Sequence, residues 1–450
     1  MARLTDRPRT DHAPAAAPSA VLDRVEPDAP AASRGGGGSR WGLPRTFESF
    51  RDREFRWFYL SMLGQMASMN MQLVVRGYLA YVLTGSYAAL GLVGLMGGLP
   101  MLVLAPFGGV LADRISKKTV LQAGQFASMT NAGVLAAISF AGVMEMEWLL
   151  ISALAQGIVM ALTMPTRQAM IPDIVGMGRM MNAVSLNMAG MNTMRLFAPA
   201  AGGFIVEFFG FGWAFTAMAS MFLIAIFALM QVTKQAPTAP GKVGDGPLAV
   251  ALSSFKDIGE GMRYITRERL MLSILGISFI SSIFGMPYQF LMPGYVADIF
   301  DGGGAEVGQL LAISAVGALA GALILATLPS KRRGSMLLGG SLVLGIGLIA
   351  FVQTQNFWLA GAFLMIVGIG SSFRQALSQG LLHSNVENAY RGRVMAVFMM
   401  QMSMMQLSTF FVGIIGDRVG IQNAIGGLGV GLVITAIVFT VFVPSIRRLQ

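Results

Sequence analysis

The sequence predicts an all-α polytopic membrane protein, with twelve transmembrane helices arranged as two six-helix bundles. Three observations point there. Hydrophobic residues fill 54% of the 450 positions and charged residues only 12%, against about 25% charged in a soluble domain. Apolar runs of about 18 or more residues, each long enough to span a bilayer, recur along the whole chain. Lys and Arg collect in every second connection between those runs. The alternating apolar and polar segments of a membrane β-barrel are absent.

Taken in order, residues 1–50 are expected to be a disordered cytoplasmic tail. Positions 1–40 are rich in Ala, Pro, Asp and Arg and end in RGGGGSR. That composition suits neither a packed core nor the apolar stretch of a signal peptide. Six spans at about 56–83, 87–111, 119–144, 147–166, 182–207 and 211–233 make an N-terminal bundle over 51–233. Residues 234–268 then form a cytoplasmic linker. It opens with the Pro/Gly-rich KQAPTAPGKVGDGP and continues as LSSFKDIGEGMRYITRERL. The second stretch reads as an amphipathic surface helix starting near Ser254 or Ile258, with basic residues for lipid head groups. Spans at about 270–296, 306–328, 335–353, 357–381, 393–416 and 421–444 make a C-terminal bundle over 269–450. A six-plus-six layout is that of a duplicated transporter body.

Charge sets the expected orientation. FRDREFR precedes the first span, DRISKK follows the second, and Arg167 and Arg179 follow the fourth. The central linker region holds Lys234, Lys242, Lys256, Arg263, Arg267 and Arg269, and SKRRG, YRGR and SIRRLQ follow later spans. The intervening loops TGSY, MEMEW, GFG, DIFDGGGAE and TQN hold no Lys or Arg, and DRVGIQ holds one Arg. By the positive-inside rule both termini are cytoplasmic, and an even number of spans agrees. The net charge of +10 therefore reads as a topology signal facing anionic lipid, not as a nucleic-acid surface. With no cysteines in the chain, disulfides and thiol chemistry are excluded.

After the second span comes GGVLADRISKKTV, in which Gly109, Leu111, Ala112, Asp113, Arg114, Lys117 and Lys118 follow the pattern G-x-L-A-D-R-x-x-K-K. Glycine allows close helix packing, and a carboxylate at a helix start meets the positive end of the next helix dipole. The pattern resembles the signature of the major facilitator superfamily, departing at Ser116, where glycine is usual. VLTGSYAALGLVG, MPTRQAMIPDIV, EGMRYI and NAYRGRVMAVF extend the resemblance to the exporter branch that includes enterobactin exporters. The resemblance implies alternating access around a central cavity, a bacterial inner-membrane location and a proton as coupling ion. It also implies a cytoplasmic latch formed by Gly109, Asp113, Arg114, Lys117 and Lys118. The equivalent place in the second half, LPSKRRGS, carries cations and no acid.

MNTMRLFAPAAGG, residues 191–203, resembles the fifth-helix motif of family antiporters at Pro199, Gly202 and Gly203, with Met194 and Ala198 where glycines are usual. Pro199 is expected to bend the helix, and the small residues to pack it closely on a neighbour.

Three arginines fall inside apolar spans: Arg195 at mid-depth in the fifth, Arg76 in the outer third of the first, and Arg374 in the inner third of the tenth. A charge at the bilayer centre costs about 2.5–3.5 kcal/mol, so such residues face the protein interior or a wet cavity. No Asp or Glu stands near the middle of a span. Arginines without acids favour an anionic ligand, because the guanidinium fork fits carboxylates and phosphates. Arg195, Arg76 and Arg374 with Gln72, Asn192 and Gln289 are the expected substrate-binding set. Gln65, Asn70, Asn187, Tyr288, Gln375 and Gln379 lie on the same helices. The methionines of VMAVFMMQMSMMQL scatter around their helix with no His or Cys nearby, which reads as adaptable packing, not a copper site.

DGGGAE lacks the Lys-Ser/Thr of a phosphate loop. No catalytic, metal or cofactor constellation is present, so the chain is not expected to be an enzyme. The expected function is a secondary active exporter of a small amphipathic or anionic molecule, a siderophore-like metabolite or drug. An importer of an anionic nutrient and a non-transporting membrane scaffold or sensor are the alternatives. The oligomeric state is not readable from these residues.

Overall fold

A computed structural model describes residues 49–233, 259–329, 332–387 and 390–443, except for the side chains of 105–114, 177, 178, 391 and 396. The expected tail over 1–48 and the linker over 234–258 lie outside the described residues.

Helix α1 (Arg53–Thr84) begins where Asp52 accepts from the backbone N–H groups of Glu54 and Phe55, and ends at Gly85 with φ 62°. A left-handed cap of this kind is open to glycine at no Cβ cost. Helix α2 (Tyr87–Arg114) leads through a short turn into α3 (Lys117–Phe140). Ser116 caps α3 by accepting from the Thr119 N–H. The residue that departs from the family signature therefore serves as an ordinary N-cap.

The fourth and fifth expected spans form one helical run, α4 (Met146–Phe209), of 64 residues. Its single non-helical residue is Gly176, with φ 68° and ψ 168°. The joint that hydropathy reads as a loop is thus a bend on one glycine. Helix α5 (Phe211–Met230) follows Gly210, and residues 259–267 are helical, α6.

The expected seventh span is broken. Helix α7 (Arg269–Gly285) stops at Met286, and α8 (Pro287–Phe300) starts on a proline at its first turn. Proline has no N–H to continue the ladder, and its ring crowds the preceding turn. Helices α9 (Gly304–Thr327), α10 (Arg333–Val352) and α11 (Phe357–Asn385) follow. The expected eleventh span is α12 (Arg391–Met399) plus α13 (Gln401–Val419), and α14 (Ile421–Phe442) is last.

Among the described residues, nine segments are long and apolar enough to cross a membrane by length and composition. The twelve expected spans exceed this by α1, α3 and the second limb of α4. Those three carry Arg76, Gln125 and Arg195 among other polar side chains, which lowers their hydropathy.

The connections define two faces. The loops at Gly85, 141–145, Gly210, 301–303, 353–356 and Gly420 lie on one face, here called distal; the α2–α3, α9–α10 and α11–α12 connections and the Gly176 bend lie on the other, here called proximal. Hydrophobic packing follows this division. One buried cluster draws on both halves, with Val74, Leu79 and Phe215 beside Tyr288, Leu310, Phe351 and Leu432. A second cluster, with Phe55, Phe58, Leu121, Met170 and Leu229, belongs to the first half alone. A third, with Ile274, Leu337, Leu381 and Val394, belongs to the second half alone. The bundles α1–α5 and α7–α14 therefore share one core toward the distal face and hold separate cores toward the proximal face. That arrangement is a cleft closed distally.

Candidate functional site: a cationic centre and a distal seam

The break before Pro287 starts a fresh helix in mid-chain and brings Tyr288 and Gln289 to its first turn. Tyr288 is fully buried. Its hydroxyl lies 3.2 Å from Ser314 Oγ on α9 and accepts from Gln289 Nε2 at 3.3 Å. Arg374 on α11 and Arg195 on α4 both act electrostatically on this tyrosine. Each bundle thus contributes one arginine whose charge is felt at Tyr288. Arg374 is 3% exposed, and its Nε has no hydrogen-bond partner. Arg195 is exposed although it stands well inside α4, and Asn192, one turn before it, is exposed as well. Among the described residues no carboxylate pairs with either arginine. Guanidinium groups without a carboxylate partner are suited in geometry and charge to a planar anionic group.

Of the expected binding set, Arg195, Arg374 and Gln289 come together. Tyr288 joins them, and so does Ser314, which the sequence does not single out. Arg76 goes elsewhere. It is 5% exposed and donates to Ser152 Oγ on α4 at 2.8 Å, inside the first bundle. Gln72 lies four residues before Arg76 on α1, and its Nε2 is buried without a partner.

Arg167 is a buried arginine that hydropathy assigns to a loop. Because α4 continues past it, Arg167 sits inside the first bundle, donates to Gln65 Oε1, and stacks over Phe58 at 5.8 Å. The Gln125 amide, turned with its oxygen toward Arg167 and Ser61, accepts from them at 3.2 and 2.8 Å. The only signal for it is that its segment, MPTRQAM, lacks the turn residues of a loop apart from Pro165.

The expected latch residues are placed in part. Lys117 makes an ion pair with Asp173 of α4 at 2.6 Å and donates to the Ala169 carbonyl at 3.3 Å. Lys118 donates to the Met230 carbonyl at 2.9 Å, where a cation meets the negative end of α5. Both lysines therefore tie helices within the first bundle. Gly109, Asp113 and Arg114 are on α2, with side chains outside the described residues.

The distal seam between the bundles is built from small residues. A Cβ on Gly203 would lie 1.9 Å from the Gly304 carbonyl oxygen, and one on Gly308 would lie 2.7 Å from the Pro199 carbonyl oxygen. On the second contact, a Cβ on Gly91 would lie 2.5 Å from Phe410 Cα, and one on Gly413 would lie 2.4 Å from the Tyr87 carbonyl oxygen. Pro199, Gly202 and Gly203, expected to bend the fifth helix, lie where α4 keeps helical dihedrals. They serve close packing, Gly202 against Met71 and the other two against α9. Three carboxylates close the seam. Glu207 accepts from the Gly304 N–H at 3.0 Å. Asp417 accepts from the Tyr87 N–H at 2.6 Å, the Ala88 N–H at 3.0 Å and Ser86 Oγ at 2.6 Å. Asp298 accepts from the Tyr87 hydroxyl at 2.6 Å and from that of Tyr81.

This architecture is shared with known proteins. A bacterial homologue of the human lysosomal transporter Spinster, solved inward-facing, superposes with a TM-score of 0.66 at 14% identity, over 91% of this chain and 97% of that one. A peptide transporter solved with sulfate gives a TM-score of 0.72 at 13% identity, over 88% and 96%. In sequence, the chain is 25% identical over 367 residues to the staphyloferrin A transporter of Staphylococcus aureus, covering 80% of this chain and 89% of the relative. It is 25% identical over 417 residues to the enterobactin exporter of Shigella boydii, covering 88% and 93%. It is 21% identical over 400 residues to macrolide efflux protein A of Streptococcus pyogenes, covering 87% and 97%. Residues 45–448 match the family described as transmembrane secretion effector. With two helical bundles and transporters for relatives, the chain is a multi-pass membrane transporter and belongs to the transmembrane secretion effector family of the major facilitator superfamily.

Proposed function

We propose that the protein is a secondary active exporter of a small anionic or amphipathic molecule, working by alternating access. On this reading both termini are cytoplasmic, the proximal cleft is the loading side, and the distal face is the exterior. The observation that carries it is that Arg195 and Arg374, one from each bundle, both act on Tyr288, with no acid among the described residues paired to either. A substrate anion bridging the two guanidinium groups draws the bundles together at the centre. That contact stabilises the occluded state over the open one, which is the differential binding any ligand-driven change requires. Relatives named for staphyloferrin A, enterobactin and macrolides support siderophores and drugs as the substrate class.

The test compares small molecules inside and outside cells of a deletion strain and of strains overexpressing wild type or Arg195→Gln. Export predicts an anionic metabolite that accumulates outside with wild type and inside with the deletion. Arg195→Gln is expected to behave as the deletion at an equal membrane level. Unchanged export by that variant overturns the reading, and accumulation inside on overexpression points to import.

A further inference from the structure

The first bundle carries the same polar pattern twice. On α1, Ser61, Gln65, Gln72 and Arg76 stand four, seven and four residues apart, and on α4, Ser152, Gln156, Thr163 and Arg167 repeat those spacings. Such spacings keep each set on one face of its helix. The two helices run in opposite directions, since α1 passes from the proximal to the distal face and α4 returns. Each arginine therefore lies at the depth where the other helix's set begins. Arg76 donates to Ser152 Oγ at 2.8 Å. Arg167 donates to Gln65 Oε1, and the Gln125 amide of α3 joins it to Ser61 with contacts of 3.2 and 2.8 Å. Farther along α3, Ser128 accepts from Gln156 at 3.2 Å, and Asn131 donates to the Ser152 carbonyl at 3.0 Å. A polar seam thus runs through an otherwise apolar bundle, with a guanidinium near either end.

The bonds within the seam do not use up its donors. Arg76 and Arg167 are 5% and 6% exposed, yet the Nε of both and Nη1 of Arg167 are buried without a partner. Gln72 Nε2, one turn before Arg76, is a further buried donor without a partner. Among the described residues no carboxylate pairs with either arginine. Each end therefore carries a full positive charge and two unspent donors. Against these four donors the seam offers one unspent buried acceptor among the described residues, Gln156 Oε1. Buried donors and charges without partners are costly, and more so in a membrane.

We propose that the two ends of the seam bind a small inorganic anion, chloride in ordinary surroundings, one at Arg76 with Gln72 and one at Arg167. An anion accepts from every donor that faces it and cancels the charge. A water brings two O–H donors of its own into surroundings that already have donors in excess. Phe58 covers one face of Arg167 at 5.8 Å, so the anion meets this guanidinium in its plane, where the N–H groups point. Both sites lie among α1, α3 and α4, inside one bundle and away from the cleft. The anions are therefore fixed parts of the first bundle and not cargo, and the inference does not rest on the export reading. Bound there, they tie α1 to α4 at two depths and let the bundle hold its arginines as neutral pairs.

The test is thermal unfolding of the full-length protein in detergent, with gluconate exchanged for chloride at a constant ionic strength of about 0.15 M. Chloride is expected to raise the apparent melting temperature by several degrees and to saturate, as a ligand of the folded state does. Bromide should do the same, and gluconate, too large for a site among packed helices, should not. The rise should persist with Arg195→Gln and Arg374→Met together, which removes the central guanidinium groups. It should be lost with Arg76→Met and Arg167→Met together, and each of these alone should remove part of it. Equal melting temperatures in chloride and gluconate overturn the proposal. So does a rise that survives the second pair of substitutions or vanishes with the first. If Arg76→Met with Arg167→Met does not fold, crystals of the parent grown in bromide decide the matter. Anomalous scattering beside the two arginines is expected, and its absence from both overturns the proposal. Because stability and scattering are read here, failure leaves the export reading to its own test on Arg195.

Discussion

Replacing Arg374 by Met is expected to stabilise the protein while abolishing transport. Arg374 is 3% exposed, carries a Nε without a partner, and has no carboxylate against it among the described residues. Charges taken out of water cost several kcal/mol each, and even buried ion pairs are often improved by about 1–4 kcal/mol on replacement with apolar residues of similar volume. Met matches the length of the arginine stem and fills irregular gaps. Only the electrostatic interaction with Tyr288 is lost, and the hydrogen bonds of that tyrosine to Ser314 and Gln289 remain. A gain of about 1–2 kcal/mol is therefore the expected balance, at the lower part of that range because the interaction with Tyr288 is lost. In detergent this appears as a rise of a few degrees in apparent melting temperature, about 2–4 °C per kcal/mol in mid-sized domains and less in a longer chain. Transport of the exported anion is measured on the same preparation in proteoliposomes. A fall in melting temperature with transport retained refutes the reasoning, because it makes Arg374 a structural residue.

Two further substitutions test packing elsewhere in the bundles. Gly203→Ala places a methyl on the Gly304 backbone, which has no flexible side chain to move aside. Overpacking of this kind costs about 1–3 kcal/mol, so the apparent melting temperature in detergent should fall by a few degrees, while the same change at Gly133, which meets nothing, should leave it alone. Asp173→Asn strands Lys117, whose side chain is 9% exposed against 33% for its partner. The loss should be about 2 kcal/mol, below the usual 3–5 for a fully buried pair because Asp173 is partly solvated. Lys117→Met in the same chain should recover most of it in a double-mutant cycle read by thermal unfolding.

Much of the fold was legible because a bilayer accepts few solutions. A span must satisfy its own backbone, so apolar runs become helices, and the helices, bundle order and paired loops follow from hydropathy and charge. Arg195 and Arg374 were legible for the same reason, since charge inside an apolar run stands out. The break at Met286 and the continuity through Gly176 were not. Hydropathy reports whether a segment is apolar and is blind to whether one residue lacks an N–H or takes positive φ. Arg167 was hidden by that blindness, since it lies one residue beyond an expected span end.

The distal carboxylates escaped for another reason. Glu207, Asp298 and Asp417 read as loop-edge acids, and their partners lie 97, 211 and 330 residues away. Local spacing carries no information on contacts of that separation. Composition, hydropathy and charge by themselves determined a polytopic membrane protein of two bundles with buried arginines, because those properties depend on each residue's own transfer cost, while the motifs resembling the major facilitator superfamily carried the expectation of transport. Only the tertiary structure decided that Arg195 and Arg374 share Tyr288 while Arg76 turns to Ser152, and that acids from each bundle cap helices of the other. Those facts depend on which surfaces meet when the helices pack, and close approach of small residues settles that in three dimensions.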